Sequence, residues 1–355
     1  MNPMLATLEA LVRCESPSED LDACRNVVAL ASDIATRVLG TPAQIKEVEG
    51  RPVFWWGSET PDVLLLGHLD TVWPLGSFTP LWEVDGDVIR GPGVFDMKAG
   101  FIQALYALKG ITGNVALVAT TDEETGSFAS RALIKELSSK AKAVLILEAS
   151  LDGKLKTGRK GTAMFQITVH GVASHAGLEP EKGANATVEI AHVIQALLSL
   201  ENPTHGTTVV PTLLRSGNTT NTVPDKAVLD VDARSFDYED LARVDAAIKA
   251  MSPTVAGTTI EISGGLNRPP LQPSSTAELY EIAEKVAAEI GMAPLGSAQV
   301  GGASDGNFAA AAGARVLDGL GAVGSGAHAA NEWVSLASLE SRSNFLHHYV
   351  KALLA

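Results

Sequence analysis

Apolar residues recur every three to four positions over residues 3–13 and again over 19–38, the spacing of one buried helical face. Ser18, Glu19 and Asp20 stand where the second helix would begin. The rhythm then shortens. QIKEVE, PVFWW and the almost wholly apolar DVLLLG at 62–67 read as strands, the last of them buried. Helical spacing returns at 97–109, followed by a strand at 114–120 (NVALVAT), a helix at 126–139 and a strand at 143–148 (AVLILE). Apolar strands alternating with helices predict an α/β domain around a largely parallel central sheet.

Near residue 160 the pattern changes. TAMFQITVH at 162–170 alternates as a half-buried strand, and a helix at 183–200, strands at 206–214 and 226–234, a helix at 237–251 and a strand at 257–263 follow. The order β-α-β-β-α-β is that of an α+β, ferredoxin-like sandwich. After NRPPLQP (267–273) helical patterns at 275–291, 304–312 and 335–354 and a short strand near 297–300 resume the α/β rhythm. The chain is therefore expected to hold one α/β domain in two segments, 1–161 and 267–355, interrupted by a smaller domain at 162–266. Gly158, Gly161, Gly264 and Gly265 cluster at the crossings, where hinges for closure are expected.

Composition narrows the partners. Of 355 residues 46% are hydrophobic and 19% charged, which is ample for a sizeable core. With 27 basic against 41 acidic residues the formal charge is −14, which argues against nucleic acid and against an anionic membrane surface. No apolar run is long enough to span a membrane. The N-terminal stretch carries Glu9 and Arg13 where a signal peptide would be apolar. Cys14 and Cys24 read as two reduced thiols, and a cytoplasmic location is expected.

Four predicted strand ends carry imidazole or carboxylate groups. Gly67-His68-Leu69-Asp70 follows DVLLL, Asp96 follows VIRGPGV, Asp122-Glu123-Glu124 follows NVALVAT, and Glu148 follows AVLIL. In an open α/β sheet the carboxyl ends of the strands line the ligand crevice, so these groups are expected to converge. Mixed imidazole and carboxylate donors suit zinc, cobalt or manganese. Taken singly, each has a plainer reading. His68 beside Asp70 fits a hydrogen-bonded turn, Glu123 and Glu124 suit a helix N-terminus, and Asp96 suits a helix cap. Glu148 resists such a reading, because burying an unpartnered carboxylate is costly.

The runs GHLDTVWPLGSF, GPGVFDMKAG, TDEETGS, GVASHAG, NTVPDKAVLDVDAR, GGASD and GSGAHAANE, with Glu148 among them, occur in the order seen in the dinuclear zinc carboxypeptidases and deacylases. From about residue 60 to 335 the chain resembles that family, which includes glutamate carboxypeptidase, acetylornithine deacetylase, succinyl-diaminopimelate desuccinylase and aminoacylase. GHLDTV, GPGVFD and DEETGSFASR look most like bacterial glutamate carboxypeptidase.

The resemblance implies a zinc-peptidase-like catalytic domain with an inserted lid and dimerisation domain. It implies two Zn2+ per subunit, with Co2+ or Mn2+ as substitutes. His68 and Glu148 would hold one metal, Glu124 and His328 the other, and Asp96 both. Asp70, sharing a face with His68 on an extended segment, would orient the imidazole. A cis peptide is implied between Asp96 and Met97. Glu123 would act as general base and then protonate the leaving amine. His175 would reach the partner subunit's site and stabilise an oxyanion, with Asn221 beside it. Arg268 resembles the arginine that grips the substrate carboxylate, and Gly302 and Ser304 would line the same pocket. Lys154 and Arg234 are candidates for reading an acidic side chain. For Arg234 an ion pair with Asp230 or Asp232 is an equal alternative, and Lys98 reads as structural.

These residues imply a homodimeric metallo-exopeptidase acting on the amide of a C-terminal amino acid in a small peptide. Glu148 supports the branch, since the family's aminopeptidases have Asp there. The alternative is an N-acyl-amino-acid deacylase, with an N-acyl amino acid as substrate. A catalytically dead binding or assembly relative is remote, because all five ligands and the base are present.

Overall fold

The apolar spacing of the first forty residues becomes two helices, Pro3–Arg13 and Leu21–Leu39, in the computed structural model, which describes residues 3–355. Asp20, not Ser18, caps the second helix: its carboxylate accepts from the amides of Asp22 and Ala23. Ser18 is turned inward and donates to Asp70 Oδ2 at 2.7 Å.

The chain divides into two units. The first comprises residues 1–158, 271–300 and 304–355, and the second 159–270 with 301–303.

In the first unit a six-stranded sheet runs in the order Gln44–Val48, Arg51–Gly57, Val115–Thr120, Val63–His68, Ala143–Ile146, Val316–Leu317. The last three pairings are parallel and the first two antiparallel. The central strands are buried along their whole length, so the period-two alternation sorts apolar side chains between two cores. Leu65, Leu117 and Leu145 face one core with helices Pro3–Arg13, Leu21–Leu39, Ala99–Ala107 and Leu336–Leu354. Leu64, Leu66, Val118 and Ile146 face the other with helices Arg131–Lys140 and Asp305–Ala311. Each such leucine contributes about 1.5–3 kcal/mol by leaving water. Gly100 lets the helix start approach the sheet, since a Cβ there would lie 2.1 Å from the carbonyl oxygen of Leu147.

Two expectations are corrected here. VIR (88–90) is not a strand of the central sheet. It pairs with Glu83–Asp85 and Trp333–Ser335 in a separate four-stranded sheet, so Asp96 follows no central strand and sits instead in the tight turn Val94–Lys98. The helix predicted from 126 begins at Arg131, because the Asp122 carboxylate gathers the amides of Ala129 and Ser130 and holds that stretch as a turn. Lys98 is fully buried and donates to the carbonyl of Cys14 at 3.0 Å, a structural contact. Cys14 and Cys24 are free thiols.

In the second unit four antiparallel strands lie in the order Thr208–Ser216, Lys226–Ser235, Gly161–His170, Thr259–Arg268, the strand order of a ferredoxin-like sheet. Phe165, Ile167 and Val169 alternate inward and pack with Ile190, Val193 and Leu241, residues of the helices Ala186–Leu198 and Tyr238–Lys249. Among the described residues no helix is long and apolar enough to cross a membrane.

Candidate metal centre

His68 ends the strand Val63–His68, and Glu148 lies two residues beyond the neighbouring parallel strand Ala143–Ile146. Glu124 sits in the one-turn 3-10 helix Glu123–Thr125, just past the strand Val115–Thr120 on the other side. Three adjacent parallel strands thus deliver three candidate ligands at their carboxyl ends. Asp96 and His328 arrive on loops.

These side chains form two groups that share one member, His68–Asp96–Glu148 and Asp96–Glu124–His328, each with its donor atoms within 4.8 Å of one another. Asp96 Oδ1 is 3.3 Å from His68 Nε2, which is 3.5 Å from Glu148 Oε1. Asp96 Oδ2 is 3.3 Å from His328 Nε2, which is 2.9 Å from Glu124 Oε2. One carboxylate therefore addresses both groups, one oxygen to each. His68 Nε2 and Asp96 Oδ1 are buried without a hydrogen-bond partner, a costly arrangement for two polar atoms turned toward each other. Two oxygen–nitrogen donor sets joined by a bridging carboxylate, with orphaned buried donor atoms at their centre, fit a pair of borderline divalent cations.

The His68 ring is oriented from behind. Its Nδ1 lies 3.0 Å from the backbone oxygen of Asp70 and 3.4 Å from that residue's Oδ1. The carbonyl is the nearer acceptor, and a proton on Nδ1 leaves Nε2 free for a cation. The buried Asp70 carboxylate also accepts from Ser18 Oγ and from the Glu124 amide, so it ties the His68 strand to the Glu124 turn.

Charge is concentrated here. Burial pushes Asp96 up, but the His328 and His68 imidazoles outweigh it and hold the carboxyl well below its usual range. Burial lowers His68, yet Asp70, Asp96 and Glu148 together raise it well above an ordinary imidazole. Hydrogen bonds with Asp96 and Glu124 raise His328 to about 10. Burial raises Glu124, and His328 opposes it.

Glu123 is buried and belongs to neither group. A one-turn helix with three residues per turn sends adjacent side chains out about 120° apart, which separates it from Glu124. Met97 follows Asp96 through a cis peptide.

One further residue was not assigned from the sequence. Glu332, 1% exposed, accepts from the amides of Gly93, Phe95 and Asp96 and from Trp73 Nε1. Its signal was a glutamate four positions after His328 in an otherwise small, uncharged run.

The remaining candidates lie elsewhere. In the second unit, exposed His175 bridges to Thr222, and the neighbouring Ala176 amide donates to the carbonyl of Asn221, so these two segments do meet. His175 Nδ1 accepts from the amides of Gly177 and Leu178, both at 3.1 Å. The neutral ring must then carry its proton on Nε2, as a donor. Arg268 is buried at the end of its strand. The Gly302 carbonyl accepts from Arg159.

The other three substrate-side candidates have contacts of their own. Arg234 makes a two-pronged pair with Asp232 at 2.8 and 2.9 Å, so its guanidinium is already engaged. Ser304 is buried as the cap of helix Asp305–Ala311, accepting from Gly306 and donating to Asp318. Lys154 is exposed at a turn in the first unit and joins neither ligand group.

Residues 64–352 match the model of peptidase family M20/M25/M40. Carboxypeptidase G2 of Pseudomonas sp. (strain RS-16) is 32% identical over 79% of this chain and 71% of its own length. A succinyl-diaminopimelate desuccinylase of Halorhodospira halophila is 26% identical over 99% of both chains. Among solved structures, the M20 family metallo-carboxypeptidase Sso-CP2 of Sulfolobus solfataricus has the same fold, with a TM-score of 0.81, 18% identity and 99% of both chains covered.

Proposed function

The chain belongs to peptidase family M20/M25/M40 and is a metal-dependent hydrolase, and from that premise we propose that it is a two-zinc exopeptidase that releases a C-terminal amino acid, in the manner of a glutamate carboxypeptidase. The observation that supports it most is the divided Asp96 carboxylate, with one oxygen toward His68 and Glu148 and the other toward His328 and Glu124. When bound, two cations supply Lewis acidity, polarising the scissile carbonyl and acidifying water.

The chain's own residues do the rest. Glu123 takes a proton from the attacking water and passes it to the leaving nitrogen. Asp70 fixes the His68 ring through its backbone oxygen, with its carboxylate 3.4 Å from the same nitrogen. His175 acts in the partner subunit of a homodimer, donating from Nε2 to the oxyanion that forms at the carbonyl. Arg268 receives the α-carboxylate of the leaving amino acid, with Asn221 and Gly302 alongside, which makes the products a free amino acid and a carboxylic acid. The enzyme works in the cytoplasm.

The relation to desuccinylases supports a second reading, an N-acyl-amino-acid deacylase with the same centre. A hydrolysis screen of dipeptides and N-acyl amino acids, varied at the C-terminal residue, separates the two. Carboxypeptidase action predicts turnover of peptides with a C-terminal glutamate, loss of it with EDTA and recovery with zinc. Absence of any amide hydrolysis by zinc-loaded protein refutes both.

A further inference from the structure

Glu332 sits where two ligand-bearing loops meet. Its Oε1 accepts from the amides of Phe95 and Asp96 at 2.8 and 3.0 Å, and its Oε2 from the Gly93 amide at 3.0 Å and Trp73 Nε1 at 3.3 Å. Each oxygen thus takes two donors. Gly93 (φ 67°) turns the chain so that amides on either side of Val94 reach one carboxylate. On its own side Glu332 closes the loop that carries His328. The Glu332 amide donates to the carbonyl of Ala329, and the Ala329 amide to that of Gly326, so two consecutive turns flank His328. The strand that starts at Trp333 pairs with Val88–Arg90, which leads directly into the Asp96 loop.

We propose that Glu332 is a positioning residue for one of the two cation sites. By clamping the Asp96 loop to the His328 loop, it sets the spacing of Asp96 Oδ2 and His328 Nε2, 3.3 Å apart, on which the Asp96–Glu124–His328 site depends. The inference rests on the two-metal reading above. The other site draws His68 and Glu148 from adjacent strands of the central sheet, whose mutual placement is fixed by the sheet itself. Glu332 therefore acts most strongly on the site whose Asp96 and His328 both come from the loops it joins, and less on the other, where only the shared Asp96 can shift. A residue that only held the fold together would weaken both sites to the same degree or neither.

Glutamine is the informative replacement. Its size is the same, but an amide nitrogen replaces one carboxylate oxygen, so two of the four donors then face a donor. Zinc binding to full-length apo-protein, measured by titration calorimetry and elemental analysis, tests the proposal. Wild type binds two zinc ions. In Glu332→Gln one ion loses affinity by about 10–100-fold, the usual scale for a group that orients a ligand, while the other loses distinctly less.

Combining variants identifies the site. In a His328→Ala background, where that site is already lost, adding Glu332→Gln changes the affinity of the remaining ion little, whereas in a Glu148→Gln background it weakens the remaining ion by the full factor. Trp73→Phe takes away only one donor and gives a smaller loss at the same site. It stands in if the glutamine variant fails to fold. Wild-type protein that binds fewer than two ions overturns the two-metal reading, and with it this inference. Two ions in wild type, with unchanged affinities in the folded glutamine variant, or in Trp73→Phe where it alone folds, overturn the role of Glu332 and leave the two-metal reading standing. Equal weakening at both sites overturns it as well.

Discussion

Glu123 and Glu124 are chain neighbours on one turn, yet only Glu124 joins a ligand group, with Oε2 at 2.9 Å from His328 Nε2. Glutamine at each position therefore yields different losses. Glu123→Gln keeps size and hydrogen-bonding capacity but abolishes the base, and general acid–base catalysis is worth about 10²–10⁴ in rate, or about 3–5 kcal/mol of barrier. Its zinc content stays at two. Glu124→Gln and Glu148→Gln each remove one ligand from one group and lower the zinc content toward one. Asp96→Asn strikes both groups and lowers it furthest, because each of its oxygens serves a different histidine. The assay pairs elemental analysis of dialysed protein with kcat on an N-acyl or peptidyl glutamate. A Glu123→Gln enzyme that keeps full turnover, or one that sheds zinc as Glu124→Gln does, refutes the division of labour between the two glutamates.

Other outcomes follow from the same geometry. His175→Ala should lower kcat by about 10²–10³ with little change in KM and no loss of zinc, as expected of an oxyanion donor; an unchanged kcat in steady-state assays removes that role. Chelation should lower the melting temperature and zinc should restore it, since a ligand at 1,000 times its Kd stabilises by about 4 kcal/mol; calorimetry that shows no shift argues against a bound metal. Asp240, 8% exposed, is held at about 2, chiefly by Arg243 and against burial, with Thr207 and Asn202 also donating. A carboxyl depressed in the folded state stabilises above its ordinary value near 4, and the gain vanishes as pH falls through about 2. Asp240→Asn should therefore cost about 1–2 kcal/mol in denaturant unfolding at neutral pH and only a few tenths near pH 2; a full cost that persists in acid would refute an electrostatic origin.

Much of the architecture was legible because long apolar periods are physical demands. A strand such as Val63–His68 can be buried on both faces only inside a covered sheet, and DVLLLG admits little else. The second unit was legible for the complementary reason: TAMFQITVH alternates, so one face must be packed and the other left open. What escaped was short. Val316–Leu317, Gly324–Ser325 and Trp333–Ser335 are two or three residues long, too few to carry a period, and their pairing partners alone make them strands. VIR was legible as a strand but not as a member of a different sheet, because sheet membership is a long-range property. For Arg234 the sequence offered an aspartate pair as one of two readings, and the pair with Asp232 is present. The cap role of Ser304 was not anticipated, because it depends on where the helix begins.

The candidate residues divide by folding unit in a way that bears on specificity. His68, Asp96, Glu124, Glu148 and His328 all belong to the first unit, so the geometry that would bind cations is set within that unit, by the central sheet and by the loops that carry Asp96 and His328. His175, Asn221, Arg268 and Gly302 all belong to the second. On the proposed roles, recognition by Arg268 and Asn221 can then change in the second unit while the cation ligands stay fixed in the first. Carboxypeptidase G2 and a desuccinylase, named for different substrates, both align with this chain. Substitutions at Arg268 or Asn221 in the full-length protein should accordingly reorder substrate preference, read as ratios of kcat/KM, while zinc content stays constant. A change in zinc content on replacing Arg268 would mean that the two tasks are not separable, and that the ligand geometry depends on residues of both units.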